Sequence, residues 1–261
     1  MQLNGKTAIV TGASSGIGAE LSEALVNKGC RVYGMARRVD RLEQLQDRLG
    51  KLFIPISMDI TQYDILEQWV ADSFRQPDHD PASKTGGQSG SEQTSNRDEM
   101  IPAAPDILIN NAGLGFFGPV DELPPEQWDT MIETNLTSIF RLTRLIVPLM
   151  KSSGSTSHIV NIASVAGLIG NPNISGYNAT KFALRGYSES LMKELRNHKI
   201  KVTCIYPGSI ATEFFDQHGG THGNMLRGKD VADTLVHILE TPDNFLIDEI
   251  TVRPLIPKPP Q

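Results

Sequence analysis

Short apolar runs rich in Val, Ile and Thr alternate along this chain with longer stretches in which apolar positions recur at helical spacing. Lys6 to Val10, Arg31 to Met35, Leu52 to Ser57, Asp106 to Asn110, His158 to Ala163, Lys201 to Tyr206 and Glu249 to Arg253 read as strands. Between them, Gly16 to Lys28, Asp40 to Leu49, Thr61 to Phe74, Pro125 to Met150, Gly176 to Asn197 and Lys229 to Glu240 carry amphipathic helical patterns. Strands separated by helices call for right-handed crossovers and parallel pairing. The expectation is a single α/β domain over residues 1–261, a Rossmann-type doubly wound parallel seven-stranded sheet with helices on both faces. Such sheets bind ligands at the carboxyl ends of their strands.

One segment breaks this rhythm. Gln76 to Pro105 is rich in Gly, Ser, Gln, Asn, Asp and Pro and nearly free of aliphatic residues, so it has little to bury and reads as a mobile surface insertion. Its removal is expected to leave folding and activity intact.

Composition then excludes several function classes. A hydrophobic content of 39% over 261 residues supports a sizeable core. The formal net charge of −6, with lysines and arginines scattered, leaves no basic field for nucleic acid. Cys30 and Cys204 each adjoin a β-branched run and read as reduced core thiols. The chain opens on no charged segment followed by an apolar core, and no apolar run reaches membrane-spanning length, so a cytoplasmic protein without membrane contact is expected.

The candidate chemistry falls at strand ends. Gly12, Gly16 and Gly18, in Thr11-Gly12-Ala13-Ser14-Ser15-Gly16-Ile17-Gly18, lie between the first strand and the first helix. There the backbone must approach a pyrophosphate, and the helix start offers unpaired N–H groups and a positive dipole end. The end of the second strand decides between the two nicotinamide cofactors. Folds that bind NAD place an acid there for the ribose 2′-hydroxyl, whereas this chain places Ala36-Arg37-Arg38. A guanidinium binds a 2′-phosphate bidentately, which predicts NADP(H) with Arg37 or Arg38, and Ser14, on the phosphate. Asp59, followed by Ile60, is either an acceptor for the adenine amino group or a helix N-cap. Tyr177 and Lys181 stand four residues apart and share a helical face, so the ammonium can favour ionisation of the phenol.

These residues resemble the short-chain dehydrogenase/reductase family over essentially the whole chain apart from the insertion. Thr11 to Gly18 resembles the family's coenzyme turn, with Ser15 and Ile17 among the cofactor contacts, and Asn110-Asn111-Ala112-Gly113 its motif after the fourth strand. Asn135, Ser164, Tyr177 and Lys181 resemble its catalytic tetrad, and Pro207-Gly208-Ser209-Ile210-Ala211-Thr212 the segment over the nicotinamide. The resemblance implies hydride transfer between the nicotinamide and a carbonyl or secondary alcohol carbon. Tyr177 would then be the acid and base, and Ser164 would stabilise charge on the substrate oxygen. Lys181 would lower the tyrosine pKa and hold the ribose, and Asn135 would keep a water linking Lys181 to solvent. Asn111 would pack on the ribose and bridge strands. Within the family, the ending Asp248 to Pro254 departs from carrier-protein reductases, which are kept as an alternative, and is similar to the NADP-dependent branch acting on serine-like 3-hydroxy acids. A non-catalytic NADP(H) sensor or scaffold is the alternative outside enzymes.

The substrate wall is expected from Leu114, Phe116, Phe117, Leu168, Ile169, Phe214 and Phe215, an apolar lining that suits a small-molecule carbonyl. A carboxylate would need Arg185, Arg227 or a backbone amide. Phe214 to Arg227 reads as a mobile lid, and its His218 and His222 lack a helix or third ligand, so no metal is expected. The long helices around Pro125 to Met150 and Gly176 to Asn197 carry apolar residues on more than one face, and the resemblance implies a homodimer or homotetramer through them.

Overall fold

In the computed structural model, residues 1–74, 104–216, 220–221 and 223–256 are described. Seven parallel strands form the central sheet: β1 (Thr7–Thr11), β2 (Arg31–Ala36), β3 (Phe53–Ser57), β4 (Ile107–Asn110), β5 (Ser157–Ile162), β6 (Ile200–Pro207) and β9 (Glu249–Val252). Two short strands, β7 (Ile210–Ala211) and β8 (Leu226–Arg227), pair with each other outside it. The order is β3-β2-β1-β4-β5-β6-β9. The winding therefore reverses between β1 and β4, where Ile9 pairs with Leu108, and a crevice opens at the carboxyl ends of these strands.

Helices cover both faces. Side chains of α1 (Gly16–Asn27), α2 (Val39–Leu49) and α8 (Gly228–Leu239) share one apolar core with Ala8, Val10, Ile107 and Ile109. Those of α3 (Tyr63–Ser73), α5 (Ser138–Ser153) and α6 (Ser175–Leu195) share the other with Ile9 and Leu108. Successive strand residues thus enter opposite cores, which is why the central strands are buried throughout and show no polar–apolar alternation. Cys30 and Cys204 are buried and reduced, as expected. Burial pushes the Cys30 thiol up to about 11. Among the described residues, no helix is long and apolar enough to cross a membrane.

Two boundaries differ from expectation. The stretch from Pro125 is not one helix: α4 (Pro125–Ile132) passes through a π turn at Glu133–Thr137 into α5. Single π turns of this kind occur often at functional sites, and this one holds the fully buried Asn135. Residues 75–103, nearly all of the expected insertion, lie outside the described residues. Its last two positions belong to the body, since Pro105 is buried and Ala104 packs against the core. They lead into Asp106, which accepts hydrogen bonds from Lys6 Nζ at 2.7 Å and the Thr7 amide at 2.9 Å.

Candidate active site

The carboxyl ends of the strands open onto one cleft of about 1140 Å³, reaching from Arg37 and Arg38 past Gly12 and Asn111 to Ser164, Tyr177 and Lys181. At its nucleotide end, Gly12 has φ +68°, and a Cβ there would lie 2.9 Å from the Ala112 Cα. A Cβ on Gly18 would lie 2.2 Å from the Gly12 carbonyl oxygen, so only glycine lets α1 start this close to β1. Asn111 closes the gap between β1 and β4. Its Nδ2 donates to the Thr11 carbonyl at 2.9 Å, while Thr11 Oγ1 accepts from the Asn111 and Ala112 amides, both at 3.0 Å. The strand-bridging amide expected of Asn111 is therefore present.

The two arginines are not equivalent. Arg38 lies over the turn, its Nη2 donating to Ser15 Oγ at 2.6 Å and its Nε and Nη2 to Ser14 Oγ at 3.2 and 3.0 Å. Arg37 is exposed, 4.0 Å from a carboxylate oxygen of Asp59. Asp59 itself is no helix N-cap. Its Oδ1 accepts from the Thr61 amide and hydroxyl at 3.0 and 2.8 Å, and α3 begins only at Tyr63. Ile60, Gly113, Pro207, Gly208, Ile210 and Thr212 all line the cleft, with the Thr212 methyl close over Gly16.

At the other end, Ser164 follows β5 and caps the short turn Val165–Gly167, its Oγ accepting from the Ala166 amide at 3.1 Å. Tyr177 stands near enough for Ser164 to ease ionisation of its phenol. Lys181, buried one turn along α6, donates from Nζ to the Ile162 carbonyl at 3.0 Å and lies 5.7 Å from the Tyr177 ring centroid. Burial pushes the Tyr177 phenol up to about 12, eased by Ser164, and pulls Lys181 down to about 8. In this arrangement burial and Ser164 are what move the phenol, and the ammonium is turned to the Ile162 carbonyl.

Asn135 joins the loop after β4 to α6. Its Nδ2 donates to the Leu114 carbonyl at 2.7 Å and to Thr180 Oγ1 at 3.1 Å, and its Oδ1 accepts from the Leu114 amide at 2.9 Å. Both amide hydrogens are committed, so contact with a water falls to the remaining lone pair of Oδ1 or to the main chain. A residue missed in the sequence is Asn178. Its Nδ2 donates to the carbonyls of Ala166 at 2.5 Å and Ile169 at 2.9 Å, and its Oδ1 accepts from the Asn171 amide at 3.1 Å. It staples the loop carrying Ser164 to the helix carrying Tyr177. Asn178→Ala leaves those buried groups unpaired and is expected to lower stability by about 1–3 kcal/mol in urea unfolding.

The aromatic wall is narrower than expected. Phe117 and Phe214 rings each lie 5.7 Å from the Tyr177 ring, and Leu114 lines the cleft beside them. Phe116, Leu168 and Ile169 do not line it: Leu168 packs into the core beside Leu184 and Tyr206, and Ile169 faces solvent because the loop turns outward there. Trp128 and Ile174 complete the wall instead. Arg185 and Arg227 also fall outside the cleft, paired with Glu249 and Asp230. The side chain of Phe215, together with His218 and His222, lies outside the described residues.

A sequence profile described as short chain dehydrogenase matches residues 6–77 and 98–221. The chain is 31% identical to serine 3-dehydrogenase of Agrobacterium fabrum, covering 95% of this chain and 94% of that one. It is 32% identical to dehydrogenase/reductase SDR family member 11 of Gallus gallus, with 96% of each covered. Its fold is similar to the closed form of serine dehydrogenase complexed with NADP+, with a TM-score of 0.79, 27% identity and 95% of each chain covered. With its parallel sheet, glycine turn and Ser164-Tyr177-Lys181 site, the chain belongs to the short-chain dehydrogenase family of oxidoreductases.

Proposed function

We propose that the protein is an NADP(H)-dependent oxidoreductase that interconverts a small, mainly apolar carbonyl compound and its secondary alcohol. The observation that carries this reading is the convergence of Ser164, Tyr177 and the buried Lys181 on the same cleft as the glycine turn. A nicotinamide cofactor supplies or accepts the hydride when bound. The chain fits it: Gly12, Gly16 and Gly18 let the turn pack tightly at the start of α1, whose first N–H groups suit a pyrophosphate, and Arg38 with Ser14 and Ser15 presents a cradle of donors for a 2′-phosphate. In reduction, Tyr177 donates its phenolic proton to the substrate oxygen while Ser164 hydrogen-bonds the same oxygen as charge develops on it. Lys181 supplies positive charge beneath the phenol, offsetting the burial that makes the phenolate costly.

A 3-hydroxy acid substrate is the second reading, favoured by the serine dehydrogenases among the relatives. Against it, Arg185 and Arg227 do not line the cleft, so a carboxylate would depend on backbone amides. The apolar wall of Leu114, Phe117, Trp128 and Phe214 favours an uncharged group. We further propose that the protein is cytoplasmic and self-associates through α5 and α6, which leave Phe140 and Phe182 half exposed. A monomer by light scattering would remove that assembly.

The experiment is to follow nicotinamide absorbance with NADPH, and separately NADH, across aldehydes, ketones and 3-oxo esters, and in reverse with NADP+ and neutral alcohols or 3-hydroxy acids. Turnover favouring the phosphorylated cofactor is expected. Arg38→Ala should lower kcat/KM with NADPH by about 10- to 100-fold, the loss of charge-assisted hydrogen bonds, with NADH little affected. Equal efficiency of the two cofactors in the parent enzyme would sink the NADP(H) assignment, and binding without turnover would move weight to a sensor.

A further inference from the structure

Arg38 does more than hold the two serines. Its Nη1 donates to Glu213 Oε2 at 3.0 Å, and the other carboxylate oxygen of Glu213 pairs with Arg41, three residues further along α2. The two guanidiniums hold the Glu213 carboxyl below the usual carboxylate range. A carboxylate gripped by two guanidiniums, with the Ser14 and Ser15 hydroxyls against the same Arg38, occupies the kind of seat a phosphate monoester would take. Glu213 is also the first residue of α7 (Glu213–Asp216), and its neighbour Phe214 lies against the rings of Tyr177 and Phe117 at 5.7 and 5.9 Å. One short helix thus touches the arginine pair and the reactive tyrosine at once.

We infer that Glu213 is an internal competitor for the 2′-phosphate of the cofactor, and that Arg41 is a phosphate ligand beside Arg38. This rests on the NADP(H) reading. Without a phosphate, Glu213 neutralises the two arginines and holds α7, with Phe214, against Tyr177. A phosphate dianion takes both guanidiniums, and like-charge repulsion expels the carboxylate, so that the group distinguishing NADP(H) from NAD(H) also loosens α7 beside the substrate wall. Affinity for the phosphorylated cofactor is accordingly set below what the arginines alone would give.

The test needs no turnover. The full chain and its Glu213→Gln and Arg41→Ala variants are titrated calorimetrically with adenosine 2′,5′-bisphosphate and with 5′-AMP, and hydrogen exchange is followed in the peptide containing α7. Glu213→Gln should bind the bisphosphate about 3- to 10-fold more tightly, as two exposed ion pairs no longer have to break, with 5′-AMP unchanged. Arg41→Ala should weaken only the bisphosphate. In the parent protein the bisphosphate should speed exchange in α7, and in Glu213→Gln exchange should be fast before any ligand is added. If the parent protein prefers the bisphosphate but Glu213→Gln binds it no better, the competitor role is wrong and the cofactor reading survives. If the parent protein does not distinguish the two ligands, both fall. Unchanged melting temperatures separate these outcomes from a folding defect.

Discussion

Tyr177→Phe is expected to lower kcat by about 10²- to 10⁴-fold, the usual contribution of a positioned general acid, while cofactor affinity stays close to that of the parent enzyme. The ring and its contacts with Phe117 and Phe214 survive the change, so the wall keeps its shape. Only the hydroxyl, whose ionisation Ser164 eases, is removed. Stopped-flow binding of NADPH together with steady-state turnover separates the two effects. A variant that binds and still turns over at more than a tenth of the parent rate would show that another group delivers the proton.

Lys181→Met is expected to act in opposite directions on activity and stability. Loss of the buried charge should lower kcat/KM by about 10²- to 10³-fold, the range for removing one electrostatic stabiliser of a developing anion. In the parent enzyme kcat/KM for reduction should fall above pH 8. Lys181 is charged below its depressed value of about 8 and neutral above it, whereas Tyr177, at about 12, keeps its proton throughout. The same shift works against folding. Between about pH 8 and the lysine's ordinary 10.5, the unfolded chain holds a proton that the folded chain has lost, so this group makes stability rise with pH across that window. Below pH 8 the cost of burying the charge is present in full. A methionine of similar length escapes it, and a gain of about 1–3 kcal/mol at pH 7, shrinking toward pH 10, is expected in urea unfolding. A variant destabilised equally at both pH values would show that the bond to the Ile162 carbonyl outweighs the charge.

The sheet was legible because both of its faces are covered. Strands such as Ile107–Asn110 are buried at every position and, apart from the terminal asparagine, stand out as an apolar run without any periodicity. The glycine turn was legible because steric need forces the residue type, as the 2.2 Å approach at Gly18 shows. The π turn was hidden, since the Asn135 within it bonds to Leu114, 21 residues away in sequence, a contact that local spacing does not show. For the same reason spacing could not rank Arg37 against Arg38: the difference is made by Ser14, Ser15 and Glu213, brought in from other elements. The substrate wall was least legible. Leu168 and Ile169 are neighbours of like character, yet one packs inward and the other outward, and neither faces the cleft.

Asn178 ties the Ser164 loop to the same helix that carries Tyr177 and Lys181. The three side chains proposed to react therefore share one frame of reference, and their spacing behaves as an internal dimension of a single stiff part. Phe117 follows β4 on a loop and Phe214 sits on a four-residue helix, so both belong to parts that can be exchanged. Redesign of selectivity at those two aromatics can accordingly proceed with the proton-transfer distances left in register.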